Sequence, residues 1–245
     1  MSIISERSFF SPSELESFLS RVAQGFGDGL TLYVTPGLPF GGDQSIPQEI
    51  RGVLSYISNI TGVAQTGACV LWGKKSRYIV IPPFPILKNE SFTGLRVSPL
   101  LNLVRNQYLV AVVLLRLGRY SLGVFRGQTL LDSKTDTRYV KGRHRAGGSS
   151  SNRFRRIREN QVQQLFSKVC GIAQDVIKPY ENELDYLFFG GEHHVLRAFR
   201  KTCPYLEKFA DRTMDRLLLV HRPLRSELDR MPTQIRSSQV LVLMD

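Results

Sequence analysis

The middle of the chain contains a nearly continuous apolar run, rich in β-branched residues, over residues 108–117. Apolar residues do not alternate with polar ones there, which is the pattern of a strand that is buried on both faces of its sheet. A Gly-Arg turn follows, and residues 120–125 then predict an antiparallel neighbour. The run therefore predicts a buried strand pair at the centre of the fold.

Hydrophobic periodicity predicts the elements on either side of this strand pair. Before it we expect a helix that begins with a capping box at Ser11 and Glu14, a strand, a second helix and a β-hairpin, over residues 11–22, 30–34, 47–60 and 69–81. After it we expect strands over residues 128–131, 137–140, 184–189, 217–220 and 240–243, and helices over residues 154–176, 192–209 and 224–231. Hairpins followed by alternating strands and helices indicate an α/β class, in an α+β arrangement with a mixed sheet and helices packed on it.

A domain boundary is expected near residues 86–104, where residues 98–104 predict a short connecting helix. We expect a smaller amino-terminal α/β region over residues 1–104 and a second domain over residues 105–245. The long helix of the second domain has a face that is expected to point inward, formed by Phe154, Ile157, Gln161, Leu165, Val169, Ile172 and Val176.

The balance of charges narrows the class of partner. The chain has 33 lysines and arginines against 21 aspartates and glutamates, a formal net charge of +12. Such an excess favours polyanionic partners, either nucleic acid or anionic lipid. Lipid is the weaker alternative, because no amphipathic face with exposed aromatic residues accompanies the charge.

Cysteine usage and apolar run lengths predict the compartment. The three cysteines, Cys69, Cys170 and Cys203, are far apart and lack the spacing of a zinc site. We expect reduced and mostly buried thiols. The first residues lack the apolar region of a signal peptide, and the longest apolar run is shorter than the roughly 20 residues that span a bilayer. These patterns predict a cytoplasmic protein with no membrane partner.

Residues 141–158 form a basic stretch that contains glycines and serines. Gly147 and Gly148 allow backbone conformations with positive φ, and the segment Ser149, Ser150, Ser151 and Asn152 offers helix N-caps. Seven cations flank this centre and can contact phosphates: Lys141, Arg143, Arg145, Arg153, Arg155, Arg156 and Arg158.

The last four of these arginines fall in the first turns of the predicted long helix. The helix macrodipole is positive there, so each cation costs about 0.3–1 kcal/mol. The repeated conflict is explained if an anion binds at this position, since helix amides and arginines together form a phosphate site. A solvated basic loop kept for solubility is the alternative. The pattern favours RNA phosphates.

Two segments of the second domain carry a family resemblance. Residues 115–125, which contain the Gly-Arg turn, and residues 137–154, which contain the glycine and serine motif, resemble the Vms-like release factors. These are peptidyl-tRNA hydrolases related to the middle domain of eukaryotic and archaeal peptide-release factors, and the chain is most similar to their bacterial branch. The resemblance covers about residues 105–245 and implies a release-factor middle domain with a ribonuclease H-like architecture.

The resemblance also implies an activity. The loop is expected to enter the peptidyl-transferase centre of the large ribosomal subunit and to promote hydrolysis of the ester between a stalled nascent chain and tRNA. Gly147, Gly148 and the segment Ser149, Ser150, Ser151 and Asn152 would form the catalytic tip, and no metal or organic cofactor is implied. Family members place a glutamine just after the glycines, whereas this chain has Ser150 or Ser151 there, depending on register. The alternative is a catalytically silent adaptor that binds ribosomes or tRNA.

Other candidate sites are weaker. Glu192, His193 and His194 follow a strand and Gly190-Gly191, and we expect a helix cap with surface histidines and a tight turn. Trp72 is expected in the core of its hairpin, although stacking on a base is the alternative. A two-metal nuclease and a serine hydrolase are not favoured: Asp132 and Asp136 lie near turns, and residues 149–151 have only His144 nearby.

Overall fold

A computed structural model describes residues 3–37, 48–57, 63–74, 76–142 and 151–244 of the 245-residue chain. The chain divides into two compact units, one formed by residues 1–106 together with 233–245 and the other by residues 107–232. Each unit has its own sheet, one of six strands and one of four. The predicted α/β class is confirmed.

The first unit contains a sheet of six strands in the order β1-β10-β4-β3-β2-β5, and every pair is antiparallel. The strands of this sheet are β1 (Ile3–Phe10), β2 (Leu30–Val34), β3 (Ala68–Trp72), β4 (Arg77–Ile81), β5 (Glu90–Thr93) and β10 (Ser238–Met244). Its helices are α1 (Pro12–Ala23), α2 (Gln48–Ile57), α3 (Val63–Thr66) and α4 (Ser98–Arg105).

The predicted capping box at the start of α1 is confirmed. The backbone N–H of Ser11 donates to Glu14 Oε2 at 2.7 Å, and the backbone N–H of Glu14 donates to Ser11 Oγ at 3.4 Å. Two amide donors at the helix terminus are thereby satisfied. The helix buries four apolar side chains at helical spacing, namely Leu15, Phe18, Leu19 and Val22.

The second unit contains a sheet in the order β8-β7-β6-β9, in which β6 and β9 are parallel and the other pairs antiparallel. Its strands are β6 (Leu109–Arg116), β7 (Arg119–Arg126), β8 (Thr129–Thr137) and β9 (Tyr186–Gly191). Its helices are α5 (Ser151–Ile177), α6 (His193–Thr202), α7 (Pro204–Glu207) and α8 (Arg225–Leu228), and α9 (Met231–Ile235) follows at the boundary between the units. Seven of the eight residues of β6 are buried, as the apolar run predicts.

Helix α5 packs on this sheet through its carboxyl-terminal half, where Leu165, Phe166, Val169 and Ala173 are buried. At the edge of this contact Lys168 Nζ lies 2.5 Å from Asp136 Oδ2, and the Tyr120 hydroxyl donates to the same oxygen at 3.3 Å. The hydrogen bond from Lys168 lowers the pKa of Asp136 to about 2. A carboxylate of β8 therefore joins the sheet to the helix and is engaged by two partners.

Four predicted elements differ from the structure, one of them the helix over residues 224–231, which is shortened to α8 (Arg225–Leu228). Residues 137–140 do not form a separate strand, because β8 already ends at Thr137. The predicted helix over residues 192–209 is divided into α6 and α7, since Pro204 has no amide N–H to continue a helix and disfavours helical backbone at Cys203. Residues 217–220 are not a strand and make one isolated bridge, between Leu218 and Gly190.

The expectation of three reduced cysteines is wrong for two of them. Cys170 of α5 and Cys203, which follows α6, form a disulfide with their Cα atoms 5.3 Å apart. Cys69 is a free and buried thiol, as expected. The two bonded cysteines are 33 residues apart in sequence, and only the packing of α6 against α5 brings them together.

The carboxyl-terminal residues lie in a different unit from the one expected, since the predicted division put all residues after 104 in the second domain. The last strand is predicted correctly, but β10 pairs with β1 and β4 and so belongs to the first unit. Strands β1 and β5 are the two edges of that sheet and were not expected, because their sequences are polar or short. No helix in the described part of the chain is both long and apolar enough to cross a bilayer.

Candidate nucleic-acid interface

The first residues of the basic stretch lie near one end of the second sheet, and its last residues form the start of α5. Strands β6, β8 and β9 all terminate at this end of the sheet, and β7 begins there. Arg119, the first residue of β7, pairs with Arg116 at the end of β6 and with Thr137 at the end of β8. The chain leaves β8 at Thr137 and returns at the start of α5. The segment is thus anchored in the sheet at one end and in a helix at the other.

Lys141, the first residue of the basic stretch, is held against α5 by three contacts. Its backbone N–H donates to Gln161 Oε1 at 2.9 Å, and its carbonyl accepts a hydrogen bond from Arg158 Nε at 3.1 Å. Its ammonium lies 4.1 Å from the centroid of the Phe154 ring, a cation–π contact. Three α5 side chains therefore fix the point from which the segment departs.

Arg138 forms a second attachment, three residues earlier. Its backbone N–H donates to the carbonyl of Gly118 in the turn between β6 and β7, at 2.9 Å. Its guanidinium donates from Nη2 to Gln164 Oε1 at 2.8 Å. Gln161 and Gln164 lie on neighbouring positions of one helix face, and both accept hydrogen bonds from the segment after β8. We refer to residues 138–142 and these α5 partners as the loop root.

The centre of the stretch lies outside the described residues. This applies to Arg143, Arg145, Gly147, Gly148, Ser149 and Ser150, and also to the side chain of Ser151, whose backbone begins α5. Their predicted roles in catalysis and RNA contact stay predictions. The structure describes the two ends that carry them.

The first turns of α5 present arginines to solvent. Asn152, Arg153, Arg155 and Arg156 are exposed, and no residue in the range 152–164 is buried. The first buried residue is Leu165, which lies about 14–18 Å along the helix axis from these arginines at a rise of about 1.5 Å per residue. The amino-terminal half of the helix is therefore free to contact a partner.

The arginines have few partners of their own. Arg155 Nε lies 3.8 Å from Glu159 Oε1, an exposed pair of the weak class. The side chains of Arg153 and Arg156 form no ion pair or hydrogen bond with any described residue, and the first turn of α5 has no acidic residue. The positive end of the helix dipole thus coincides with uncompensated cations, an arrangement that a bound anion stabilises.

Two of the predicted RNA-binding residues have a structural role. Arg158 is half-buried and donates to the Lys141 carbonyl, and Lys141 covers the Phe154 ring. The predicted inward face of the helix is correct at Gln161 and Leu165, but Ile157 is 38% exposed because α5 extends past the core at that point. The sequence did not reveal Gln161 and Gln164 as anchors, because glutamines at half-buried and exposed helix positions form no distinctive pattern.

The weaker candidates have structural explanations. The Glu192 side chain does not cap α6 as expected: its Oε1 accepts from Arg116 Nε at 3.1 Å and from Nη2 at 2.8 Å. His193 and His194 are exposed, as predicted. Gly191 has φ +134° and its backbone lies so close to β6 that a Cβ would meet the Leu115 carbonyl at 2.1 Å. A tight approach of β9 to β6 therefore explains the second glycine.

Trp72 lies in β3 and is partly exposed, with the Arg77 guanidinium 4.4 Å from the centroid of its ring. The indole thus contacts a neighbouring strand of its own hairpin, as a structural residue does. This contact is of the ordinary cation–π kind.

Comparisons with known proteins find similarity over the second unit and the residues that follow it. The sequence model of a family described as Actinobacteria/chloroflexi VLRF1 release factor matches residues 108–241, which is more than half of the chain. Peptide chain release factor subunit 1 of Archaeoglobus fulgidus is 29% identical over 147 residues, covering 59% of this chain and 34% of that protein. The same factor of Aeropyrum pernix is 22% identical over 178 residues, covering 61% and 48% respectively. The chain therefore spans about a third to a half of the length of these curated relatives.

Solved structures give weaker similarity. The Vms1 mitochondrial localization core has a TM-score of 0.44 at 14% identity, covering 73% of this chain and 76% of that one. The archaeal translation termination factor aRF1 has a TM-score of 0.38 at 17% identity, covering 92% and 72%. The sequence match over residues 108–241, and not these superpositions, identifies the family.

Proposed function

The chain belongs to the Actinobacteria/chloroflexi VLRF1 release-factor family, and we propose that it binds the large ribosomal subunit and hydrolyses the ester bond between a nascent peptide and tRNA on stalled ribosomes. Family membership supports a ribosome-associated role in release or rescue. Hydrolysis of the ester, the stalled substrate and the RNA contacts go beyond family membership, and we propose them here. No metal or organic cofactor takes part in it.

The start of α5 is the observation that carries the proposal. Exposed arginines occupy the positive end of a 27-residue helix in which no residue from 152 to 164 is fully buried. Such a helix end binds phosphate through its free amides and through bidentate guanidinium contacts. RNA offers a row of phosphates that such arginines can contact, and membership of a release-factor family favours RNA over other polyanions. Ribosomal RNA or tRNA is therefore the partner.

The loop root supports the proposed position of the tip. Nine residues, 142–150, separate Lys141, which contacts α5, from Ser151, the first residue of α5. A connection of this length limits how far the predicted tip residues can lie from these two anchors. Gly147, Gly148 and Ser149 to Asn152 would then lie against the ester.

The chemistry requires a positioned water and a site for negative charge. Water attacks the ester carbonyl carbon, negative charge develops on the carbonyl oxygen, and the tRNA ribose oxygen leaves with a proton. Backbone N–H groups next to the glycines stabilise the developing oxyanion whatever the side chains are. The serine hydroxyls, in place of the family glutamine, can accept and donate hydrogen bonds to the water.

A second candidate function rests on one observation, the serines that follow Gly148. A hydroxyl is shorter than a glutamine amide and reaches a different position. A chain that retains the arginines but positions no water would bind the ribosome without hydrolysis. It would act as an adaptor or competitor at the same site.

Purified protein added to stalled ribosome–nascent-chain complexes tests the proposal, with the conversion of peptidyl-tRNA to free peptide followed on a gel. We expect release above the protein-free rate and its loss in the triple variant R153A/R155A/R156A. The matched control R126A/K134A/K178A removes three exposed cations elsewhere in the second unit and should release peptide as the wild type does. Ribosome binding without release would favour the adaptor, and release by the triple variant at the wild-type rate would refute the role of α5.

A further inference from the structure

A cleft opens beside the loop root, at the end of the second sheet where β6, β8 and β9 terminate. Its volume is about 510 Å³, within the range of small-ligand sites, roughly 300–1,000 Å³. It lies between the turn that joins β6 and β7, the end of β8 and the segment before α8. The residues that give it its chemistry are Arg116, Arg119, Tyr139, Glu192, His221 and Arg222.

One of the three arginines in the cleft is neutralised within the unit. Arg116 binds the Glu192 carboxylate through two nitrogens and donates a third hydrogen bond to the carbonyl of His221. These bonds hold the segment at His221 close to the end of β6 and so form one wall of the cleft. Arg116 therefore shapes the cleft, and the Glu192 carboxylate compensates its charge.

The other two arginines are not neutralised. Arg119 and Arg222 are exposed, and their guanidinium groups make no ion pair or hydrogen bond with any residue that the structure describes. They come from the start of β7 and from the segment after the isolated bridge at Leu218, so two separate parts of the chain place them at one cleft. Two such cations in a concave site concentrate positive potential there.

An aromatic side chain completes the site. Tyr139 lies in the cleft wall and its surface is 75% exposed, although a large aromatic residue is normally placed where it can bury its ring. Val140 and Pro223 extend the apolar part of the same lining. An exposed ring beside unpaired arginines is the combination that binds single-stranded nucleic acid, with the base on the ring and the phosphates on the cations.

We propose that this cleft binds one unstacked nucleotide of single-stranded RNA, with its base on Tyr139 and the adjoining phosphates on Arg119 and Arg222. The site is distinct from the arginines of α5 and adds a second RNA contact at the loop root. It deepens the proposed function, on which it rests for the identity of the RNA as that of a ribosomal complex. A duplex cannot enter in this way, since its bases are stacked and paired.

Binding of a 5′-fluorescein-labelled oligoadenylate of ten nucleotides, followed by fluorescence anisotropy at low salt, tests the proposal. We expect Tyr139→Ala to raise Kd about tenfold, the loss of one stacked base, whereas Tyr139→Phe keeps the ring and the affinity. The double variant R119A/R222A should weaken binding and reduce the salt dependence. Arg126→Ala removes one cation from the opposite end of β7 and serves as the control.

Three results would overturn the proposal: no binding by the wild type, unchanged affinity in Tyr139→Ala, or equally tight binding of free AMP, which would indicate a mononucleotide site. The test separates this site from the proposed function. If R153A/R155A/R156A abolishes oligonucleotide binding and peptide release while Tyr139→Ala affects neither, the cleft proposal fails and the proposed function stands. If Tyr139→Ala weakens oligonucleotide binding while the wild type releases no peptide, the cleft proposal stands and the proposed hydrolysis fails.

Discussion

The ammonium of Lys141 lies 4.1 Å from the centroid of the Phe154 ring, so a residue before the loop tip contacts a residue of the helix that follows it. The two residues are separated by the glycines and serines that were predicted to form the tip. Arg158 and Gln161 hold the backbone of Lys141 in the same place. The base of the loop is thereby closed by contacts that do not involve its tip.

Phe154→Leu should loosen this closure without unfolding the unit. Leucine retains apolar bulk but has no ring for the ammonium, and the lost contact is worth about 0.5–1 kcal/mol at an exposed site. We expect trypsin to cleave between residues 141 and 158 about two to five times faster, with an unchanged unfolding midpoint. Mass spectrometry of timed digests measures the rate.

The control for this change is Ile157→Ala, which removes an apolar side chain from the next turn of α5 that is 38% exposed. It should leave the cleavage rate as in the wild type. Equal rates in the wild type and Phe154→Leu would show that the Lys141–Phe154 contact does not restrain the loop.

Reduction of the Cys170–Cys203 bond should destabilise the second unit. A crosslink that closes a loop of this length typically contributes about 2–4 kcal/mol, chiefly by restricting the unfolded chain. Urea unfolding with and without a phosphine reductant measures the difference. Cys170→Ser should behave as the reduced wild type under both conditions, and a wild-type midpoint that does not respond to the reductant would contradict the bond.

The Asp136–Lys168 contact predicts a pH dependence. The hydrogen bond from Lys168 lowers the folded-state pKa of Asp136 to about 2, below its ordinary value of 3.8. A lowered carboxylate pKa stabilises the folded state above the ordinary value, and the contribution is lost as the pH falls toward 2. Asp136→Asn should therefore be less stable than the wild type at pH 7, and the gap should close between about pH 4 and pH 2. Denaturant midpoints across this range measure it, and a constant gap would exclude the ionic contribution.

Two glycines of the second unit should respond to alanine in opposite directions. Gly191→Ala places a methyl group 2.1 Å from the Leu115 carbonyl at a φ of +134°, and should destabilise the fold by about 2–4 kcal/mol. Gly171 lies in α5 with no neighbour within 4 Å of its added methyl, so Gly171→Ala should stabilise by about 0.5–1 kcal/mol. Paired urea titrations test both signs, and stabilisation by Gly191→Ala would contradict the close pairing of β9 with β6.

Much of the fold follows from local patterns. The capping box at Ser11 and the apolar run that became β6 predict their elements correctly, because side-chain hydrogen bonding and burial on both faces act over a few residues. The position of β10 in the first sheet and the bond between Cys170 and Cys203 could not be predicted. Both depend on contacts between residues far apart in sequence, which periodicity does not encode.

In the candidate site, too, some features follow from local sequence and others depend on long-range packing. The conflict between arginines and the helix dipole is local, and it correctly indicated exposed cations at Arg153 and Arg156. The roles of Arg158 and Gln161 were not predicted, since they depend on where the segment after β8 crosses α5. The pairing of Glu192 with Arg116, in place of a helix cap, is likewise decided by the register of β6 and β9.

The central claim is that the arginines at the start of α5 contact RNA phosphates, and the salt dependence of binding to large ribosomal subunits tests it most directly. Each phosphate contact contributes about 0.7–0.9 to the slope of log Kobs against log salt concentration, so R153A/R155A/R156A should reduce the slope by about 2–3. The variant should also be no less stable than the wild type, since alanine suits a helix start better than these cations do. An unchanged slope in a folded variant would contradict the claim.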